Sequence, residues 1–229
     1  MTIHRFFVDP GTVGDEPFII PASIARQVTR VLRLVAGDEI ILLEGDGLEA
    51  RCRLTDAGLE LVSRATSGGE PGHRLAVAQA LLKGDHLEPV IRHGTEVGVS
   101  RFELVVTHRC IVRDLSAARL ARLRAVAREA AEQSERGLVP EVVAPVGLGK
   151  VLGPTSVLLL ERSSAVRLSD LAPPARLIVG PEGGFTPDEV VAAQQAGALV
   201  AGLGPRILRS ESVAVAAAAV VLSRTGDFA

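Results

Sequence analysis

The chain has 229 residues, a hydrophobic fraction of 47%, a charged fraction of 23% and a formal net charge of −2. This length predicts one large domain or two modest ones, and the composition is that of a globular protein with an apolar core. The near-neutral charge excludes a broadly basic nucleic-acid binder. All cations except Lys83 and Lys150 are arginine, which suits phosphate and base recognition but fits a genomic composition bias equally well.

Several classes of protein are disfavoured by the remaining composition. Cys52 and Cys110 lie far apart without a CxxC partner, so we expect no disulfide framework or zinc site, and a reducing compartment fits. The five histidines show no metal-ligand spacing, and no metal is expected. The N-terminal MTIHRFFVDPG lacks a signal pattern, and the longest apolar run, residues 213–222, is too short to cross a bilayer. We expect a cytoplasmic protein without a membrane segment.

The first part of the chain is predicted to be rich in short strands. Apolar or alternating segments, separated by turns with Gly and Asp, lie at residues 4–8, 39–45, 48–54 and 59–65. One helix is expected near 22–34, and SGGEPG at 67–72 is typical of a linker. These features predict a small β-rich domain over residues 1–70.

The pattern then changes to alternating strands and helices. Strands are predicted at 74–82, 101–107, 156–161, 176–180 and 198–204, and helices at 85–97, 115–136, from 187 and from about 211. Continuous apolar strands are typical of buried parallel sheets. This alternation predicts an α/β domain over residues 73–229.

A strongly marked helix start lies in LIVGPEGGFTPDEV, residues 177–190. Thr186 suits the N-cap, Pro187 suits the first helical position, and Glu189 completes a capping box. The preceding residues, 180–184, therefore form a strand-to-helix loop, at the end of a strand where open α/β sheets bind ligands.

The sequence of this loop does not predict a phosphate-binding site. It has no lysine, its helix is already capped, and Glu182 would repel an anion; the spacing also fails the dinucleotide fingerprint. A glycine loop with a carboxylate better suits a neutral or cationic ligand that the backbone approaches closely. A tight turn with a solvated Glu182 is the alternative.

A second strand, glycine-rich turn and helix follow in LVAGLGPRILRSESVAVAAAAVV, residues 199–221. Ser210 is predicted to cap the last helix, and both glycine-rich loops could line one pocket. Glu211 could serve that pocket or could simply complement the helix dipole.

GPEGGFTPDEV and LGPRILRSESVAVAA resemble the SPOUT-class RNA methyltransferases, and more narrowly the small-subunit ribosomal RNA uridine-N3 methyltransferases (the RsmE family). Matching blocks occur in order at HRFF (4–7), VLRLVAGDEI (31–40), KGDHLEPVIRHGTEVGV (83–99) and AREAAEQSERGLVPEV (127–142). The resemblance implies a PUA-like β-barrel followed by a SPOUT α/β domain with a parallel sheet and a deep trefoil knot. It also implies a homodimer.

The same resemblance implies methylation of N3 of a specific uridine in 16S ribosomal RNA of the small ribosomal subunit, with S-adenosyl-L-methionine as cofactor. Arg209 would stabilise negative charge on the uracil, and Glu182 or Glu211 would accept the proton, unless Glu182 binds the cofactor instead. The implied cofactor contacts are Leu159, Leu160, Glu161, Gly180, Pro181, Glu182, Gly183, Gly184, Leu203, Gly204, Ile207 and Leu208.

RNA contacts are less clearly marked. Arg26, Arg30 and Arg33 recur at a spacing that predicts one helix face, and Arg5 is a second candidate. Because the first domain has more acidic than basic residues, these arginines would form a local patch, and a solvated helix face is the alternative.

The sequence departs from the family pattern in two places. Pro89 and the pair His93-Gly94 replace better helix formers, which predicts that the helix at 85–97 starts late or is irregular. The segment THRC at 107–110 matches loosely, which leaves the role of Arg109 open.

Three other functions remain possible from the sequence. They are a SPOUT methyltransferase acting on another RNA, a non-catalytic RNA-binding relative, and an unrelated α/β nucleotide-binding enzyme.

Overall fold

The computed structural model describes residues 3–15, 17–161 and 166–228. Two compact units are present, the first formed by Met1–Glu70 with Ala131–Val139 and the second by Pro71–Ala130 with Pro140–Ala229. The domain limits proposed from sequence, 1–70 and 73–229, stay predictions. Residues 131–139, which the sequence placed in the second domain, group with the first unit.

The first unit contains a four-stranded sheet in the order β1-β2-β3-β4. Its strands are β1 (His4–Phe7), β2 (Glu39–Leu43), β3 (Leu48–Thr55) and β4 (Gly58–Thr66). β1 runs parallel to β2, whereas β2, β3 and β4 are antiparallel neighbours. Alternate residues of the strands, including Phe6, Ile40 and Leu42, are buried in an apolar core, as expected for a sheet with one covered face.

The helix predicted near 22–34 is shorter and less regular than expected. Helix α1 (Ala22–Arg26) runs directly into a π-helical turn at Gln27–Val31, and Arg33 follows in the left-handed region with φ of 55°. The wider π turn breaks the 3.6-residue repeat. The prediction that Arg26, Arg30 and Arg33 share one α-helical face is therefore wrong, although all three are exposed.

The second unit contains a six-stranded, fully parallel sheet in the order β10-β8-β9-β5-β6-β7. Its strands are β5 (Ala76–Ala80), β6 (Arg101–Val106), β7 (Glu141–Gly147), β8 (Ser156–Leu159), β9 (Arg176–Val179) and β10 (Leu199–Ala201). β7 was not predicted, because its exposed and half-buried residues lack the continuous apolar pattern of the central strands. Strand order alone does not determine whether the chain is knotted, and the knot stays a prediction.

The α-helices between these strands are α2 (Leu87–Glu96), α3 (Ala117–Gln133) and α4 (Pro187–Gln195), and α5 (Ser210–Ser223) follows the last strand. The predicted late start of α2 is confirmed, because the helix begins at Leu87. Pro89 thus lies in the first turn, where the missing N–H has no intrahelical partner. Gly94 is required by packing, since a Cβ at this position would lie 2.7 Å from the Phe102 ring.

Cys52 and Cys110 are free, buried thiols. Burial raises the pKa of Cys52 to about 11, so this thiol stays neutral at physiological pH. None of the helices in the described ranges combines the length and the apolar character that crossing a membrane requires.

Candidate active site

The loops that carry the predicted site residues lie at one edge of the parallel sheet. β10, β8, β9 and β5 are consecutive neighbours in the sheet, and the chain leaves each of them at the same, carboxyl edge. This is the edge at which open α/β sheets bind ligands.

A cavity of about 740 Å³ opens among these loops, a size typical of small-molecule sites. It is lined by Leu159, Leu160, Glu161, Gly180, Pro181, Glu182, Gly183, Gly184, Ile207, Leu208, Arg209 and Glu211, together with residues discussed below. Leu203 and Gly204 line a smaller cavity that shares Leu159, Leu160, Glu161 and Leu208 with the first. The fold thus brings the predicted cofactor and catalytic residues together, while their individual roles stay predictions.

The predicted capping box at the start of α4 is confirmed. The Glu189 backbone N–H donates to the Thr186 hydroxyl at 3.2 Å, and the Thr186 N–H donates to the Glu189 carboxylate at 2.9 Å. The other Glu189 oxygen accepts the His108 N–H at 2.7 Å, which attaches the loop after β6. Because the donors of the first turn are satisfied internally, this helix offers little to an anion.

The glycine loop itself depends on close packing. A Cβ at Gly180 would lie 3.0 Å from the buried Phe185 ring, and Gly184 adopts φ of 67°, which favours glycine. The Arg109 guanidinium donates to the Gly183 carbonyl at 2.8 Å. Arg109, whose role the sequence left open, therefore holds this loop in place.

Ser210 does not cap α5, contrary to the sequence-based prediction. The helix begins at Ser210 with Arg209 as its N-cap residue, so the hydroxyl is used elsewhere. It donates to the Gly180 carbonyl and accepts from the Gln79 side-chain amide at 3.2 Å. The chain of hydrogen bonds from Gln79 through Ser210 to Gly180 joins β5, α5 and the glycine loop.

The charged groups of the cavity have different surroundings. Glu182 accepts the Lys83 backbone N–H at 3.1 Å, and Glu211 lies 3.5 Å from Nδ1 of His86. Within the residues that the structure describes, the Arg209 side chain makes no hydrogen bond or ion pair, so its guanidinium is available to a ligand.

Comparison with known proteins identifies the family. A family model described as an RNA methyltransferase domain matches residues 70–222, and one described as an RNA methyltransferase PUA domain matches residues 28–62. The chain is 33% identical to ribosomal RNA small subunit methyltransferase E of Mycobacterium bovis, covering 99% of this chain and 92% of that protein. It is 32% identical to the protein of the same name from Bacillus subtilis, covering 97% of each.

The same relationship appears among solved structures. A ribosomal RNA small subunit methyltransferase E from Neisseria gonorrhoeae, crystallised with S-adenosyl methionine, superposes with a TM-score of 0.90 at 30% identity, covering all of both chains. The chain belongs to the RNA methyltransferase family. The expected architecture, a small PUA-like β domain before an α/β methyltransferase domain, is confirmed.

Sequence reasoning missed several residues at this RNA methyltransferase cavity. His86, Val179, Phe185, Pro187, Val190 and Val213 also line it. His86 could have been found from the rule that the loop after each parallel strand reaches the ligand edge, because KGDH (83–86) lies in the loop that follows β5. The order of β5 and β9 in the sheet, which decides that this loop is near the glycine loop, is not visible in the sequence.

The arginines of the first unit that were predicted to contact RNA differ in whether their guanidinium groups are paired with carboxylates. Arg5 is 14% exposed at its side chain and pairs with Glu49 at 2.6 Å and Glu135 at 3.3 Å. Its guanidinium is thus committed to carboxylates, which gives no support to an RNA contact. The exposed Arg26, Arg30 and Arg33 have no side-chain partner in the described ranges, and their role stays a prediction.

We expect Ser210→Ala to loosen the cavity, because it removes the donor to the Gly180 carbonyl and the acceptor for Gln79. A buried polar group left without its partner costs about 1–3 kcal/mol. Hydrogen–deuterium exchange should show faster exchange in residues 180–184. Ser212→Ala is the matched control on the same helix, because Ser212 is exposed; equal exchange in both variants would contradict the role of Ser210.

Proposed function

We propose that this chain is an S-adenosylmethionine-dependent methyltransferase that acts on N3 of a uridine in 16S ribosomal RNA of the small ribosomal subunit. Its relatives over nearly the full chain are named ribosomal RNA small subunit methyltransferase E. The observation that carries the proposal is the cavity at the carboxyl edge, in a chain whose structural neighbour of equal length is bound to S-adenosyl methionine.

The cavity suits this cofactor chemically. Leu159, Leu160 and Ile207 offer apolar surface to an adenine, and the glycine loop lets the backbone approach a nucleoside closely. Three carboxylates, those of Glu161, Glu182 and Glu211, outnumber the two guanidinium groups of the lining, those of Arg109 and Arg209, and Arg109 is already bonded to the Gly183 carbonyl. Such a lining tolerates a sulfonium cation and disfavours a triphosphate.

When bound, S-adenosylmethionine supplies an electrophilic methyl group; the chain must supply alignment, charge stabilisation and a proton acceptor. Holding N3 against the methyl group can contribute up to about 7–11 kcal/mol in ideal cases. The guanidinium group of Arg209 would stabilise the negative charge that spreads onto the uracil carbonyl oxygens. Glu211 or Glu182 would take the imide proton.

The proposed target atom also restricts the substrate. N3 lies on the Watson–Crick edge, so the uridine must be unpaired or turned out of its stack.

The same proposal includes a cytoplasmic location, where ribosomal subunits assemble, and a homodimer, which light scattering of the purified chain would test.

Nucleoside mass spectrometry of ribosomal RNA from a deletion strain tests the function. We expect 3-methyluridine to disappear from 16S RNA and to return when the gene is restored. Calorimetry of the purified chain should show binding of S-adenosylmethionine. Binding with an unchanged nucleoside profile would indicate another RNA substrate, and absence of binding would indicate a non-catalytic relative.

We expect Arg209→Ala to lower the rate of methyl transfer by roughly 10²–10³-fold, the usual effect of removing one charge-stabilising donor, with cofactor affinity little changed. Single-turnover kinetics and calorimetry measure the two effects. Arg74→Ala is the matched control, because Arg74 is exposed just before β5, at the opposite end of that strand from the cavity. Near-normal turnover of Arg209→Ala would remove Arg209 from the mechanism.

Replacing Arg26, Arg30 and Arg33 by glutamine should flatten the salt dependence of RNA binding. Each lost phosphate contact lowers the slope of log K against log salt by about 0.7–0.9, so three contacts give a change of roughly 2–3. The control is Arg51→Gln with Arg53→Gln in the same unit, because both cations pair with Glu39 and hold the pKa of that carboxyl below its usual value. A triple variant with the wild-type slope would contradict the patch.

A further inference from the structure

His86 is a residue of the cavity to which no function has been attached so far. It lies in the loop after β5, as the N-cap residue of α2, and its imidazole is 51% exposed. Nδ1 is 3.5 Å from Oε1 of Glu211, whose side chain is 20% exposed. The pair thus connects a sheltered carboxylate of the cavity to a group that reaches solvent.

Glu211 and Glu182, the two candidate proton acceptors, are not equivalent. Glu182 accepts the Lys83 backbone N–H, so it already has a structural use on the edge of the glycine loop. In the described part of the chain, His86 is the partner of Glu211. The glycine loop on the other side of the cavity is held by Arg109, which donates to the Gly183 carbonyl.

The geometry points to His86 as the proton-relay partner of Glu211: Glu211 takes the proton from the uracil and His86 carries it to solvent. This inference rests on the proposed function. The relay answers a chemical need, because a carboxylate is a weak base near neutral pH and must be returned to its ionised form for the next turnover. Imidazole is the side chain suited to accept and release a proton in this range.

The step balances as follows. The N3–H bond breaks and its proton passes to the Glu211 carboxylate, while the electron pair left on N3 forms the bond to the methyl carbon. The electron pair of the broken carbon–sulfur bond stays on sulfur. The proton then moves from Glu211 to Nδ1 of a neutral His86. The imidazolium that forms gives one proton to solvent and returns to the neutral form with Nδ1 free, so the Glu211 carboxylate and the accepting nitrogen are both restored.

Other charged groups lie in the same cavity or in the segments that carry this pair. Glu161, Glu182, Arg109 and Arg209 line the same cavity. Lys83 and Asp85 belong to the loop that carries His86, and Glu88 lies in the first turn of α2. Several have partners of their own, Asp85 with Arg119 and Glu88 with Arg122. A pH profile must therefore be compared between variants that leave these groups in place.

The test is the multiple-turnover rate of methyl transfer to 16S RNA, kcat, measured against pH for the full chain. We expect His86→Gln to lower the rate roughly 10- to 100-fold near neutral pH and to change the shape of the pH profile. This is at or below the lower end of the roughly 10²–10⁴-fold that a general acid–base group contributes, because His86 acts through Glu211 and not on the substrate. KM for RNA and cofactor affinity should stay within about threefold. His86→Gln with Glu211→Gln should be little slower than Glu211→Gln alone, because both act on one proton.

His93→Gln is the matched control, because His93 and Glu96 form a similar imidazole–carboxylate pair at 3.0 Å on α2 and His93 is not among the residues that line the cavity. This variant should keep the wild-type rate and profile. His86→Gly should regain rate when imidazole is added to the solution, an effect that a purely structural role would not produce.

The possible outcomes separate the two claims. A wild-type chain that methylates N3, together with a His86→Gln variant of unchanged rate and profile, would overturn the relay and leave the proposed function standing. A change in KM alone would also overturn it, in favour of RNA contact. A folded wild-type chain that leaves 16S RNA unmethylated would overturn the proposed function and the relay with it.

Discussion

The hydrogen bond from the Ser210 hydroxyl to the Gly180 carbonyl is the interaction on which the cavity depends. β10 and β9 are not neighbours, because β8 lies between them in the sheet. The chain that leaves β10 must therefore pass the end of β8 before α5 can reach the glycine loop. Ser210 fixes this crossing, and Gln79 of β5 holds Ser210 from the other side. The same crossing carries Arg209 and Glu211 over to the loops after β9 and β5.

The parts of the fold that could be predicted are those that short stretches of chain encode. The capping box at Thr186 and Glu189 is complete within four residues, and it forms as expected. Buried central strands such as β8 and β9 are continuous apolar runs, so their positions were evident from the sequence. The late or irregular start of α2 was predicted from Pro89 and His93-Gly94, and Pro89 accounts for it because proline is tolerated in the first turn of a helix and not in its interior. In each case the physical cause lies inside the element.

The predictions that failed depend on contacts that are distant along the chain or on small changes in helix geometry. Ser210 has the right residue type for an N-cap, but Gly180, thirty residues away, takes its hydroxyl. β7 lies next to β6 at the far end of the sheet from β10 and carries half-buried residues, so its pattern is weak. The π turn after α1 changes which arginines lie on the same side of the helix. The spacing of Arg26, Arg30 and Arg33 in the sequence does not predict this turn. His86 was missed for a similar reason. It lies at the cavity because β5 and β9 are neighbours in the sheet, and the order of strands in a sheet is not visible in the sequence.

The contact made by Glu182 explains why the glycine loop contains an acidic residue and no lysine. The nearby lysine, Lys83, reaches the glycine loop through its backbone N–H, which Glu182 accepts. Glu182 thus ties the loop after β9 to the loop after β5, which also carries His86. A lysine at position 182 could not accept this N–H, since an ammonium has no acceptor. This contact supports the proposal in which Glu182 holds the two loops together and Glu211, 3.5 Å from His86, accepts the proton.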